Sequence, residues 1–173
     1  ILLGHNVEMG NSPAQVLSDV NTAICNKNVV DMFITVWLGI IDLGCGKMIC
    51  ANAGHEYPVL KPAGRDYDLS QDKHGLVIGV IGALQYSEYE IGLEPGASLF
   101  LYTDGLTEAR DPEGKMFGRN RMIRALNKEP EASPEKALAN VRKAVDAFVK
   151  DAPQFDDLTM LCLEYKGDES DEV

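Results

Sequence analysis

Residues 99–114 read LFLYTDGLTEARDPEG, and how this stretch is read decides the fold. Leu99 to Thr103 is a near-continuous apolar run, as expected of an interior strand, and it stops abruptly at Asp104-Gly105. A carboxylate closing a buried strand is costly unless it is paired, hydrogen-bonded or bound to a metal. Gly105 would let the backbone turn sharply and approach a ligand closely. The plainer reading of the same dipeptide is turn chemistry, since Asp-Gly is a common turn pair.

Working outward, the stretch Tyr86 to Ile91 alternates as a strand and closes in a Pro95-Gly96 turn. Further upstream, MFITVWLGIIDLGCGKMICANAG reads as a β-hairpin turning at Gly44-Cys45-Gly46, with its second run from Lys47 to Ala53. A short strand is expected at Tyr57 to Leu60, and a loop or loose hairpin from Pro62 to Gly75. The apolar patch Val77 to Leu84 is most simply core. Near the start, Ser12 as N-cap, Pro13 at the first helical position and Gln15 completing a capping box predict a helix with Val16, Val20, Ala23 and Ile24 on one face. Downstream, helices are expected over Gly118 to Asn127 and Ser133 to Lys150, the latter burying Ala137, Leu138, Val141, Val145 and Phe148. DDLTMLCLEY, from Asp156, returns to strand. Strands grouped before a helical pair imply an α+β layered fold.

The chain has 173 residues, a length that suits one domain able to bury a core without disulfides or structural metal. Its 16 Lys and Arg against 27 Asp and Glu give a net charge of −11, which argues against nucleic acid or an anionic membrane as partner. Part of that charge lies in the closing KGDESDEV, read as an acidic, solvated tail over 167–173 behind a domain over 1–166. No apolar run is long enough to span a bilayer, and no signal peptide or membrane anchor is visible. Cys25, Cys45, Cys50 and Cys162 show no metal-finger spacing and read as reduced thiols of a cytoplasmic protein, although Cys45 and Cys50 flank a turn that a disulfide would fit.

Two constellations can carry chemistry. Asp104-Gly105 ends one strand and Asp156-Asp157 begins another, and the two ends lie side by side if those strands are antiparallel neighbours. Converging carboxylates repel unless a cation sits between them. An oxygen-only donor set favours Mg²⁺ or Mn²⁺ over Zn²⁺. Against this, Asp-Asp after Pro153 also serves simply to lead a loop into a strand. The second constellation is NAGHEYP, Asn52 to Pro58. His55 beside Asn52 suits either acid/base chemistry or the pinning of a loop through satisfied backbone groups, and pinning is the commoner role. His5 and His74 stand in polar segments and carry no signal.

MFITVWLGIIDLGCGKMICANAGHEYPVL, GLVIGV, LFLYTDGLTEARDPEGKMFGRNRM and PQFDDLTMLCLEY stand in this order. Together they resemble the bacterial branch of the metal-dependent PPM phosphatases related to protein phosphatase 2C, the sporulation stage II protein E type, from about Ser12 to Tyr165. The resemblance implies a β-sandwich of two antiparallel sheets flanked by helices, in α-β-β-α layers. It implies a two-metal Mn²⁺ or Mg²⁺ centre and hydrolysis of phosphoserine or phosphothreonine in a partner protein. By motif, Asp104 and Asp156 would be the metal ligands, with Gly105 giving the close backbone approach. Asp157 would stand behind them, where the related eukaryotic pattern has Asn. Two metals about 3.5–4 Å apart clamp a phosphoryl group and activate a water, so no Cys or Ser nucleophile is needed.

The sequence departs from the family at its start. The other ligands of the family lie in a Gly-Gly-Asp-aromatic-aromatic-Asp strand and a Gly-Asp-Val-x-Gly-x-Gly turn, and neither occurs here. ILLGHN reads as the end of the helix that follows them, so the chain is expected to be the last three-quarters of the domain, weak in metal binding and activity by itself. Exposed sheet edges left by missing strands invite self-association, for example as a homodimer. Related proteins often act on an anti-sigma factor antagonist and carry an upstream sensor domain. Two alternatives compete: a non-catalytic interaction module on the phosphatase fold, and a phosphoesterase of small molecules.

Overall fold

The computed structural model describes residues 4, 9–27, 32–71, 73–154 and 156–167. Its elements run α1 (Pro13–Cys25), β1 (Val36–Ile41), β2 (Lys47–Ala53), β3 (Val59–Lys61), β4 (Asp68–Leu69), β5 (Glu88–Gly92), β6 (Ser98–Tyr102), α2 (Asp104–Thr107), α3 (Arg119–Leu126), α4 (Pro134–Val149) and β7 (Met160–Glu164). The strands form two antiparallel sheets, ordered β1-β2-β5 and β4-β3-β6-β7. Two sheets with helices are the α+β architecture expected from the sequence. The chain divides into two compact units, one holding α1 and the first sheet, the other the second sheet with α2, α3 and α4. The closing residues 168–173, the ILLGHN reading apart from Gly4, and His5 lie outside the described residues.

In the first unit, the predicted hairpin pairs Val36 with Ala53 through to Ile41 with Met48. Asp42 closes its turn: the Gly46 amide donates to the Asp42 carbonyl at 2.8 Å and the Gly44 amide to Asp42 Oδ1 at 2.9 Å, with Gly46 at φ +69°. That left-handed conformation costs glycine nothing. Val16, Leu17 and Val20 of α1 are buried with Ala51, Ala53, Ile78 and Tyr86. The predicted capping box does not form. Ser12 occupies the N-cap without a side-chain bond, Gln15 donates to Asp19 Oδ1 at 2.7 Å, and the Ala14 amide finds Glu88 Oε1 at 3.0 Å. An acceptor from β5 has taken the place of the local one.

The patch Val77 to Leu84 is also only partly core. Ile78 is fully buried, but Val80 is 61% and Ile81 49% exposed. Backbone bonds explain this: the Gly79 amide donates to Asn21 Oδ1 at 2.9 Å and Asn21 Nδ2 to the Ile81 carbonyl at 2.8 Å. The segment is a loop hung from a buried asparagine, and a loop does not bury consecutive side chains.

In the second unit, β6 lies between β3 and β7, the interior position its apolar run predicted. The stretch after Pro62 resolves as the β3-β4 hairpin. Ser133 Oγ accepts the Lys136 amide at 3.4 Å to cap α4, whose Ala137, Val141 and Val145 are buried with Phe100, Phe117 and Met122. Phe148 closes that face edge-on to Phe117, ring centres 5.5 Å apart. Burying such a stripe stabilises by about 1.5–3 kcal/mol per large side chain, which is why helical spacing alone placed α4. None of the four cysteines is in a disulfide; Cys50 is buried and Cys45 exposed. Among the described residues no helix is long and apolar enough to cross a membrane.

Candidate active site

The pairing of β6 with β7 builds the site. Their antiparallel register ends at Tyr102 opposite Met160, and the Thr103 amide continues it to the Thr159 carbonyl at 3.1 Å. Thr103 Oγ1 then links both chains, donating to the Asp157 carbonyl at 3.2 Å and accepting the Thr159 amide at 3.2 Å. The segment carrying Asp156 and Asp157 is thereby held against the end of β6. Strand β7 itself begins at Met160, so the two aspartates belong to its lead-in and not to the strand.

Beyond Thr103 the chain turns into α2, a single helical turn opened by Asp104. Gly105 is buried there, and a Cβ at this position would overlap the Asp157 carbonyl oxygen and stand 3.5 Å from Asp156 Cβ. No side chain larger than hydrogen fits without displacing one of the two segments. The structure thus brings Asp104-Gly105 and Asp156-Asp157 together.

Each leading carboxylate is oriented locally. Asp104 Oδ1 accepts the Gly105 amide at 2.9 Å, and Asp156 Oδ1 accepts the Asp157 amide at 2.7 Å. One expectation is corrected: Asp104 is exposed, as are Asp156 and Asp157. The apolar run ends at the surface, so solvent and the Gly105 amide satisfy the Asp104 carboxylate without any obligatory cation. The all-oxygen donors suit a hard divalent ion in kind. In number they fall short, since among the described residues no group of three or more His, Cys, Asp or Glu is placed to hold a metal.

NAGHEYP takes the loop-pinning form. Asn52 is 1% exposed; its Oδ1 accepts the His55 amide at 2.8 Å and its Nδ2 donates to the His55 carbonyl at 3.1 Å. His55 Nδ1 lies 3.1 Å from Thr35 Oγ1. Gly54, at φ +73°, could not carry a Cβ, which would sit 2.6 Å from Val77 Cγ1.

Sequence reasoning missed a cluster at the end of β6. Glu56 Oε2 receives Arg119 Nη2 at 2.9 Å, Arg119 Nε at 3.2 Å and the Tyr102 hydroxyl at 3.3 Å. Burial pushes the Tyr102 phenol well above its ordinary value, and the Glu56 charge adds to this, so Tyr102 remains a donor. Charge-assisted bonds of this kind fix geometry, here just before Thr103 and Asp104. No local pattern joins residues 56, 102 and 119.

Two antiparallel sheets with helices are the fold of protein phosphatase 2C domains: the SiaA-PP2C domain of Pseudomonas aeruginosa has a similar fold, with TM-score 0.76 and 23% identity, covering 95% of this chain and 66% of that one. The family model described as Stage II sporulation protein E (SpoIIE) matches residues 2–166, and the chain belongs to that family. It is 33% identical over 134 residues to Protein IcfG of Synechocystis sp., covering 76% of this chain and 20% of IcfG. It is 29% identical over 164 residues to phosphoserine phosphatase RsbU of Bacillus subtilis, covering 92% of this chain and 47% of RsbU. The chain thus spans half or less of these relatives. A crystal structure of the RsbU and RsbW domains of Rv1364c from Mycobacterium tuberculosis has a similar fold, with TM-score 0.77 and 17% identity, covering 96% of this chain and 45% of that one.

Proposed function

We propose that this chain carries the catalytic face of a metal-dependent protein phosphatase that hydrolyses phosphoserine or phosphothreonine in a bacterial signalling partner. The observation that supports this most is the Gly105 contact, which holds the Asp104 turn against Asp156-Asp157. Asp104 and Asp156 would hold Mn²⁺ or Mg²⁺, and Asp157 would support them through the peptide that Thr103 grips. A bound pair of such ions supplies an activated water and charge stabilisation at the phosphoryl oxygens. The protein's own part is to orient the carboxylates, through the Gly105 and Asp157 amides.

The name of RsbU, a phosphoserine phosphatase, supports the reaction class. An anti-sigma factor antagonist as substrate, an upstream sensor domain and a cytoplasmic location complete the proposal. Four cysteines outside any disulfide suit a reducing compartment, and the net charge of −11 suits a protein substrate better than nucleic acid. A second reading, a non-catalytic interaction module, is favoured by the lack of a three-ligand group among the described residues.

The two readings separate in a Mn²⁺ titration followed by electron paramagnetic resonance, with Asp104→Asn and Asp156→Asn alongside. Saturable binding that both variants lose supports the enzyme. Binding indifferent to both substitutions supports the module; absent binding means that these carboxylates form at most half a site, and the readings then separate in the same titration with the family's upstream acidic motifs restored.

A further inference from the structure

The turn α2 carries Asp104 and Gly105, and a single helical turn does not hold itself in place by its own hydrogen bonds. Both of its ends are tied to other segments. At the front, Tyr102 is buried as the last residue of β6, and its hydroxyl donates to Glu56 Oε2 at 3.3 Å. At the back, the Gly118 amide donates to the Thr107 carbonyl at 2.8 Å, and the Phe117 amide to the Ala109 carbonyl at 2.8 Å. Arg119 follows directly and opens α3.

The two ties meet in one ion pair. Arg119 gives Nη2 at 2.9 Å and Nε at 3.2 Å to the same Glu56 oxygen that receives Tyr102. Its guanidinium also lies 5.8 Å from the centre of the Tyr57 ring, within cation–π range. The path from Tyr102 through Glu56, Arg119 and Gly118 to Thr107 therefore closes into a bracket around residues 103–106. Inside it stand Asp104, Gly105 and Thr103, whose hydroxyl links the Asp157 carbonyl and the Thr159 amide. A shift of the bracket is thus a shift of Asp104 relative to Asp156.

Folding stability alone gives the ion pair little to do. Arg119 is half exposed, and ion pairs reached by solvent contribute little to stability. Three donors converging on one carboxylate oxygen fix a geometry instead. Groups that orient metal ligands from behind typically change metal affinity by about 10–100-fold when they are lost.

We propose that Glu56, Arg119 and Tyr102 are positioning residues for the candidate metal centre, the Glu56–Arg119 pair closing the bracket that sets the Asp104 carboxylate against Asp156. The proposal rests on the phosphatase reading above.

The test compares the chain with Arg119→Ala, Arg119→Lys and Tyr102→Phe, the last keeping the buried ring and removing only the hydroxyl. Amide hydrogen exchange is followed by NMR without metal, and Mn²⁺ affinity by electron paramagnetic resonance. The Leu106 and Glu108 amides, which donate to the Thr103 and Asp104 carbonyls, should exchange about tenfold faster in Arg119→Ala and Tyr102→Phe while Phe100 within β6 keeps its rate. Mn²⁺ affinity should fall about tenfold in both, and Arg119→Lys, which restores a cation opposite Glu56, should recover more than half of the loss. The Tm of Arg119→Ala should stay within about 3 °C of the parent. Acceleration that extends to Phe100 shows a general structural tie and overturns the positioning role. Turn exchange unchanged in both variants, or Mn²⁺ affinity unchanged in both, also overturns it, and the phosphatase reading stands if Asp104→Asn still abolishes binding. If the parent binds no Mn²⁺, exchange decides: acceleration confined to the turn supports the bracket and equal rates overturn it. Mn²⁺ bound equally by the parent and Asp104→Asn overturns the phosphatase reading and the proposal with it.

Discussion

Gly105→Ala is the sharpest probe of the site. Gly105 sits in the helical turn α2 and does not need a left-handed backbone, so alanine is conformationally permitted there and would by itself add about 0.5–1 kcal/mol of stability. Contact opposes this gain. The new methyl would overlap the Asp157 carbonyl oxygen and stand 3.0 Å from the carbonyl carbon, against roughly 3.5–4 Å for relaxed carbon contacts. The lead-in to β7 must retreat by roughly 0.5–1 Å. Overpacking of this size costs about 1–3 kcal/mol, leaving a net loss between about zero and about 2.5 kcal/mol, or a Tm lowered by up to about 10 °C.

The same retreat moves Asp156 relative to Asp104, and metal–ligand distances tolerate only about 0.2 Å. Mn²⁺ affinity should therefore fall about tenfold or more, well beyond the stability change. Thermal unfolding and the Mn²⁺ titration measure the two effects separately. Gly92→Ala is the control, since a Cβ there meets nothing within 4 Å. If Gly105→Ala melts above the parent temperature, or keeps the parent's Mn²⁺ affinity, the two segments are not in the contact described, and the reasoning that joins Asp104 to Asp156 fails.

Two further outcomes follow from the packing. Asn52→Ala removes both bonds to the His55 backbone from a buried side chain, so it should cost about 2 kcal/mol and lower Tm by about 4–8 °C; an unchanged Tm would return His55 to the list of acid/base candidates. Burial pushes the Tyr67 phenol from 10.0 up to about 12, so the unfolded chain loses that proton first. The stability it contributes is complete below pH 10 and declines as pH rises toward 12, by about 1.4 kcal/mol per pH unit. Urea midpoints taken from pH 8 to 11 should fall less steeply in Tyr67→Phe than in the parent, and parallel profiles would refute the assignment.

What was legible in the sequence was whatever depends on period and on neighbouring residues. The apolar run at Leu99 placed β6 in the sheet interior, and the stripe from Ala137 to Phe148 placed α4, because each pattern states how many faces of the element are buried. The juxtaposition of Asp104 with Asp156 was readable as a condition, that β6 and β7 be antiparallel neighbours, and the ladder from Ser98 opposite Glu164 to Tyr102 opposite Met160 meets it. Interactions between distant segments were not legible. Glu88 capping α1, Asn21 suspending the loop at 79–81, and Glu56 gathering Tyr102 and Arg119 each join residues more than 40 positions apart, and no local rule selects one partner over another.

The exposure of Asp104 shows how the local reading misled. An interior strand was taken to carry its last carboxylate into the interior, whereas β6 ends at the buried Tyr102 and the chain reaches the surface through Thr103 at Asp104. The carboxylate therefore needs no cation for folding, and a divalent ion arriving there would add stability only through its own binding, by mass action. A site of this kind can be assembled before the metal is present. The features that preorganise it, the Thr103 hydroxyl between the Asp157 carbonyl and the Thr159 amide and the bare Cα of Gly105 against Asp157, use neither carboxylate, so charge-neutral substitutions at Asp104 and Asp156 should abolish ion binding while leaving the fold intact.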